Sequence, residues 1–214
     1  MIMENDQTKN QLWILVLACG VLAVPFYFFH DIIGAVNYPG YYWMEQAVSD
    51  LTATDAPSFA VASGYVTVYK IFTCICCVCL SMLVRNERKS LRIGIYLFAV
   101  MQGISAIGYA LFPLTGSGYD GSVQSFIHVY ILTALVVSLS IVSLILIAIG
   151  SFKGNYRPLG IMAIVALVAM FSGVVGSQNA PKEYFGVFER FSTYSATIFT
   201  GVLAVYSFAK LKKN

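Results

Sequence analysis

Six long apolar stretches, roughly residues 12–29, 59–84, 91–112, 126–150, 159–176 and 186–209, take up most of this 214-residue chain. A helix rising about 1.5 Å per residue needs about 20 mostly apolar residues to cross a hydrocarbon core of about 30 Å, and each stretch is near that length. Inside hydrocarbon every backbone N–H and C=O must be bonded within its own segment, so the stretches are expected to be helices. Their apolar character is continuous, which excludes the alternating strands of a membrane barrel. Composition points the same way. Hydrophobic residues make up 58% of the chain and charged residues 11%, with a mean hydropathy of +0.76, where soluble domains carry about 25% charged residues. That balance excludes a soluble globular enzyme and a disordered tail. Thirteen basic against 10 acidic side chains make no surface for nucleic acid. The expected fold is an all-α membrane protein, a bundle of six transmembrane helices in one domain over residues 1–214, with the connection 31–58 as a cap.

Orientation is read from lysine and arginine near the span ends. One set of connections holds Lys9, Arg85, Arg88, Lys89, Arg92, Lys153, Arg157, Lys210, Lys212 and Lys213; the other holds Lys182 and Arg190. Both termini are therefore expected in the cytoplasm of a multi-pass cell-membrane protein. The leader with Glu4, Asp6 and Lys9 shows no small-residue cleavage site, so the first span reads as an uncleaved anchor. Acidic residues invert the pattern: Asp31, Glu45, Asp50, Asp55, Asp120, Glu183 and Glu189 fall on the outer side.

Within the second span, Ser63, Thr67, Lys70, Cys74, Cys77 and Ser81 recur at steps of four and three, one face of a helix. That stripe is expected to face the other helices, with Lys70 near mid-span as a candidate ligand-binding or transport residue. Four of the five cysteines lie between Cys74 and Cys79 on the cytoplasmic half, where helix packing explains them and a structural disulfide is not expected. The fifth span carries Gly160, Ala163, Ala166, Ala169, Gly173 and Gly176, a stripe suited to close helix packing.

Residues able to do chemistry gather on the outer side. Ser49 and Asp50 lie in the first outer connection, Gln124 and His128 open the fourth span four residues apart, and Glu189, Arg190 and Tyr194 open the sixth. Histidine titrates near neutrality, and the guanidinium fork matches phosphate or carboxylate. Ser49-Asp50-Leu51, Ala56-Pro57, Phe112-Pro113 ahead of His128, and Gly186-x-x-Glu189-Arg190 together resemble domain-of-unknown-function family 998, six-span membrane proteins of prokaryotes. The resemblance covers nearly the whole chain and implies the six-span fold without naming a reaction. Ser49-Asp50 with Ala56-Pro57-Ser58 is more distantly similar to the FRAG/DRAM/SFK family, some of whose members act in lipid remodelling.

Three functional readings follow. The first is an outward-facing polar pocket that recognises a membrane lipid or another amphiphile at the outer leaflet, with Arg190, Glu189, Tyr194, Gln124 and Lys70 as ligand-binding residues. The second is a membrane-embedded hydrolase or transferase, with His128 as base beside Ser49 or Asp50. The third is a small transporter using Lys70 as its midplane charge. A buried Arg190 is expected to pair with Asp50 or Glu189, and such pairing alone would lock a loop onto the bundle. No cofactor is implied. His30, Asp31, Asp50, His128 and Glu189 lack metal-ligand spacing, so no metal is expected.

Overall fold

The computed structural model describes the backbone of residues 2–213 and the side chains of 6–212. Glu4 and Lys213, counted in the charge balance, have side chains outside that range. Six long helices follow one another: α1 (Ile2–Val36), α2 (Phe59–Leu83), α3 (Lys89–Leu111), α4 (Val123–Lys153), α5 (Arg157–Asn179) and α6 (Phe185–Lys210). No strand occurs among the described residues. Helices α1 to α5 are each long and apolar enough to cross a membrane, so this is a multi-pass membrane protein.

The sixth helix differs in kind. At 26 residues it has the length of a span, yet Glu189, Arg190 and a run of serines and threonines lower its apolarity. Those groups turn inward: Arg190, Ser195, Thr197, Thr200 and Ser207 are buried. The first helix also departs from expectation. It continues past Phe29 to Val36, which brings His30 into the helix and moves Asp31 out of the expected cap.

Short connections make successive helices antiparallel neighbours. Each helix packs on the next, and α6 closes on α1, giving a ring of six. At the end that carries the two termini, the ring axis is filled by one apolar cluster that includes Trp13, Leu80, Leu91, Ile95, Phe98, Leu144, Ile147, Phe199 and Leu203. Phe98 of α3 meets Phe199 of α6 edge-on across the axis, ring centres 5.6 Å apart. Close approach depends on missing side chains: a Cβ on Gly94 would lie 2.7 Å from the Ile147 backbone nitrogen. On α5, Gly173 and Gly176 lie directly against Phe188 and Ser192 of α6.

The opposite end carries the two longer connections, 37–58 and 112–122. They are stitched together where Thr54 and Asp55 N–H groups donate to the Leu114 and Thr115 carbonyls at 2.8 and 3.0 Å. Val48–Thr52 forms a 3-10 turn whose Leu51 is fully buried between α1 and α2, next to Gly34 and Ala62. Ser58 stands at the N-cap position of α2, but its hydroxyl donates backward to the Leu51 carbonyl at 2.8 Å and fastens this turn instead.

Candidate functional site

Arg190 is the hub of the loop end. One turn into α6 and 6% exposed, it needs an acceptor for every donor it takes out of water. Its Nε and Nη2 donate to the two carboxylate oxygens of Asp31 at 2.8 and 2.7 Å, a bidentate pair between α6 and α1. Nη2 also donates to the Tyr41 hydroxyl at 2.8 Å. Nη1 donates to the carbonyls of Trp43, Gln46 and Gly186 at 2.6, 3.1 and 3.0 Å. Tyr194, four residues on and on the same face, donates to Asp31 as well. The guanidinium further lies 5.8 Å from the Trp43 ring centre. Arg190 is therefore fully occupied by the protein. Its carboxylate partner is Asp31, not the expected Asp50 or Glu189, because the extension of α1 places Asp31 opposite α6.

Segment 41–48 is held across the loop end by this arginine and by its neighbours. The Tyr41 hydroxyl donates to the Ala47 carbonyl at 2.8 Å, and burial pushes its phenol up, away from ionisation. The Val187 N–H donates to the Met44 carbonyl at 3.2 Å. Glu189 accepts the Val48 N–H at 3.1 Å and lies within electrostatic reach of Arg190, Asp31 and Asp50. It serves the strap rather than balancing Arg190.

His128 forms a second centre. It sits in a π-helical turn, Ile127–Leu132, inserted into α4, a rare geometry that concentrates at functional sites. Thr133 Oγ1 donates to the His128 carbonyl at 3.1 Å and satisfies the displaced backbone. The ring is buried beside Tyr109, centres 4.6 Å apart. Nδ1 lies 2.7 Å from the Phe112 carbonyl. A carbonyl only accepts, so Nδ1 carries a proton, and in the neutral ring Nε2 keeps its lone pair. Asp50 and Lys70 are within electrostatic reach of the ring. Asp50 itself is bonded elsewhere, accepting from the Ser117 hydroxyl at 2.5 Å and the Gly118 N–H at 3.2 Å. Burial raises its carboxyl above the usual range, against the pull of those two donors.

The remaining candidates are placed apart from these centres. Ser49 is half-buried, and its carbonyl accepts from Thr52 Oγ1 at 3.1 Å; no hydrogen bond joins it to His128 among the described residues. Gln124 is exposed and donates to the Pro113 carbonyl at 2.6 Å. The π-turn begins at Ile127, between Gln124 and His128. Lys70 is half-buried. The buried face of α2 runs through Ala62, Tyr69, Thr73, Cys76, Cys77 and Leu80, whereas Thr67 is exposed, so the Lys70 stripe borders the interior instead of facing it. No carboxylate pairs with Lys70 among the described residues; Cys74, His30 and His128 lie within its electrostatic reach. His30 is buried with Nδ1 unpartnered.

Sequence reasoning missed Asp31 as the partner of Arg190. The signal was present: Tyr27, His30, Asp31 and Gly34 recur at i, i+3, i+4 and i+7, a helical face that continues beyond the apolar window. Further inward, Tyr69 bonds Thr197 at 3.5 Å and Gln102 donates to Thr200 at 3.1 Å, extending polar contacts towards the apolar cluster. Among the described residues no three His, Cys, Asp or Glu side chains are grouped to hold a metal ion. The five cysteines are free thiols.

An apolar groove of about 430 Å³ opens between α5 and α6. Met162, Ala166 and Ala169 face Phe191, Ile198 and Val202 across it, and Trp43, Arg190 and Tyr194 close its loop end. The arginine clamp and the mouth of the groove are thus built from the same residues.

A ring of membrane helices with an arginine-clamped strap over one end and an apolar groove beside it defines a class of small multi-pass protein. The chain belongs to the family described as "Protein of unknown function (DUF998)", which matches residues 21–206. No curated protein and no solved structure matches it.

Proposed function

We propose that this protein recognises a membrane lipid, or an amphiphile of similar shape, at the outer leaflet, with its chain in the groove between α5 and α6. The observation that carries the reading is the shared mouth. An apolar channel that ends on Trp43, Tyr194 and the clamped arginine offers hydrocarbon contact below and an aromatic, polar rim above, the two environments of a lipid at a membrane interface. Because Arg190 spends its donors on the protein, selection rests on chain fit and on the Trp43 rim rather than on a free guanidinium fork. The loop end faces outward in this reading, all six helices span the cell membrane, and ten basic residues against two hold both termini in the cytoplasm.

The test is lipid analysis of the detergent-purified chain. Wild type is expected to retain a stoichiometric lipid, and Ala169→Trp, which fills the groove, is expected to lose most of it. Equal retention by both proteins would refute the groove.

One observation favours a second, chemical reading. The π-turn presents a buried histidine whose Nδ1 is fixed on the Phe112 carbonyl and whose Nε2 has no hydrogen-bond partner among the described residues, with Asp50 within electrostatic reach, a group able to act as a general base. In that reading His128 activates water or a substrate hydroxyl that reaches the loop end beside Tyr109, outside the α5–α6 groove, and Ser49 is not the nucleophile. Turnover abolished in His128→Gln but retained in Ser49→Ala supports it; turnover retained in His128→Gln rejects it.

A further inference from the structure

We propose a second lipid site at the terminal end of the ring: the cleft between α2 and α3 takes one chain of an anionic phospholipid from the adjoining leaflet, and Arg85 holds its phosphate. This site is separate from the groove between α5 and α6 and does not depend on that reading.

The cleft has a volume of about 410 Å³. Val78, Met82 and Arg85 line one wall at i, i+4 and i+7, so one stripe runs from apolar contact on α2 to a cation in the 3-10 turn Val84–Asn86 that follows it. Tyr96, Ala99 and Val100 form the wall on α3. From Val78 to Arg85 the helix rises about 10 Å, enough to seat the upper part of an acyl chain. Val78, Met82 and Val100 are exposed in the isolated protein. The cleft exists because α2 and α3 pack on each other less extensively than α1 packs on α2 or α3 on α4.

The charge at its mouth is arranged, not only abundant. Arg92 Nη1 donates to the Arg85 carbonyl at 2.6 Å, which fixes the turn that carries Arg85. The Arg85 guanidinium is itself exposed and has no hydrogen-bond or ion-pair partner among the described residues. Arg88 and Lys89 are exposed beside it in sequence. Glu87 is the one acid in this stretch, and its carboxylate is turned towards the Tyr156 hydroxyl, 3.3 Å away on the α5 side. A general excess of cytoplasmic base would put positive charge anywhere on this face. Here a planar fork suited to phosphate stands at the open end of an apolar cleft. Charge complementarity and the membrane-facing position select an anionic phospholipid as the occupant.

The full-length protein in detergent, titrated with phosphatidylglycerol and with phosphatidylcholine of the same chains and read by native mass spectrometry, tests this. Wild type is expected to prefer one phosphatidylglycerol by about tenfold, the scale of a charge-assisted phosphate contact. Arg85→Gln is expected to abolish the preference, and Ala99→Trp to block the site by filling the cleft with Arg85 intact. Lys153→Gln, a neutralised base at the same end on α4, is expected to keep it. Melting temperatures identify any variant that fails to fold. Phosphatidylglycerol preference retained in Arg85→Gln or in Ala99→Trp, or equal loss in Lys153→Gln, would each overturn the proposal.

Discussion

Arg190 and Asp31 each bury a charge whose cost is met by the other, by the Tyr41 and Tyr194 hydroxyls and by the carbonyls of Trp43, Gln46 and Gly186. Removing one partner of such a pair strands the second and costs about 3–5 kcal/mol. Arg190→Ala is therefore expected to lower the melting temperature of the detergent-solubilised protein sharply, and Asp31→Asn nearly as much. Arg190→Lys keeps the charge but cannot serve Asp31, Tyr41 and three carbonyls at once, so it is expected to fall between. Unchanged melting in Arg190→Ala would mean that the strap holds without its clamp. A second residue-scale expectation concerns acid. Hydrogen bonds from Ser125 and Ser122 hold the exposed Asp120 carboxyl below its ordinary 3.8, at about 2. A depressed carboxyl stabilises the folded state above the ordinary value and loses that contribution as pH falls towards 2. Asp50, raised by burial, has the opposite sign: its protonation on acidification favours the folded state. Wild type is thus expected to lose more stability than Asp120→Asn between pH 4 and 2, read as the melting temperature of each. Of these residues, sequence reasoning identified Arg190, Tyr194 and His128 by type and helical spacing, because local periodicity carries that information. It misassigned the partner of Arg190, because a contact across 159 positions depends on where α1 ends.

Helices α3 and α4 are the elements on which packing is most exposed to test. On α3, Gly94 lies against the α4 backbone, whereas a Cβ on Gly103 would meet nothing within 4 Å. Gly94→Ala is expected to destabilise by about 1–3 kcal/mol through overpacking. Gly103→Ala relieves the helix penalty of glycine and is expected to be neutral or stabilising by up to about 1 kcal/mol. Thermal unfolding of the two variants side by side checks both, and similar losses would contradict the different surroundings of the two sites. On α4, the π-turn at His128 was not legible. Nothing in Ile127–Leu132 departs from ordinary helical composition, and only the tertiary demand of the Phe112 carbonyl and Thr133 reveals the extra residue. The spans themselves were legible because hydrocarbon imposes a local requirement on each segment. That holds for α1 to α5; α6 has the length of a span but not the apolarity of the other five, and its interior-facing polar groups explain why.

At the scale of the molecule, charge asymmetry sets the expected orientation. Thiols introduced at Asn37 or Gly118 should react with an impermeant reagent added to intact cells, and thiols at Asn86 or Asn155 should not. Reaction at Asn86 would invert the assignment and move both proposed lipid sites to the opposite leaflets. The closed order of the ring was not legible, since no single helix records which of the others it will touch. That closure also has a bearing on biogenesis. Asp31 emerges early from the ribosome, and its arginine follows 159 residues later, on the order of ten seconds or more at ordinary synthesis rates. Throughout that interval α1 holds an unmatched acid at the membrane boundary, and the least apolar helix must insert last to neutralise it. A nascent chain interrupted before α6 therefore carries a built-in mark of incompleteness, and truncation after residue 180 should yield a product cleared by membrane proteolysis rather than a stable five-helix fragment.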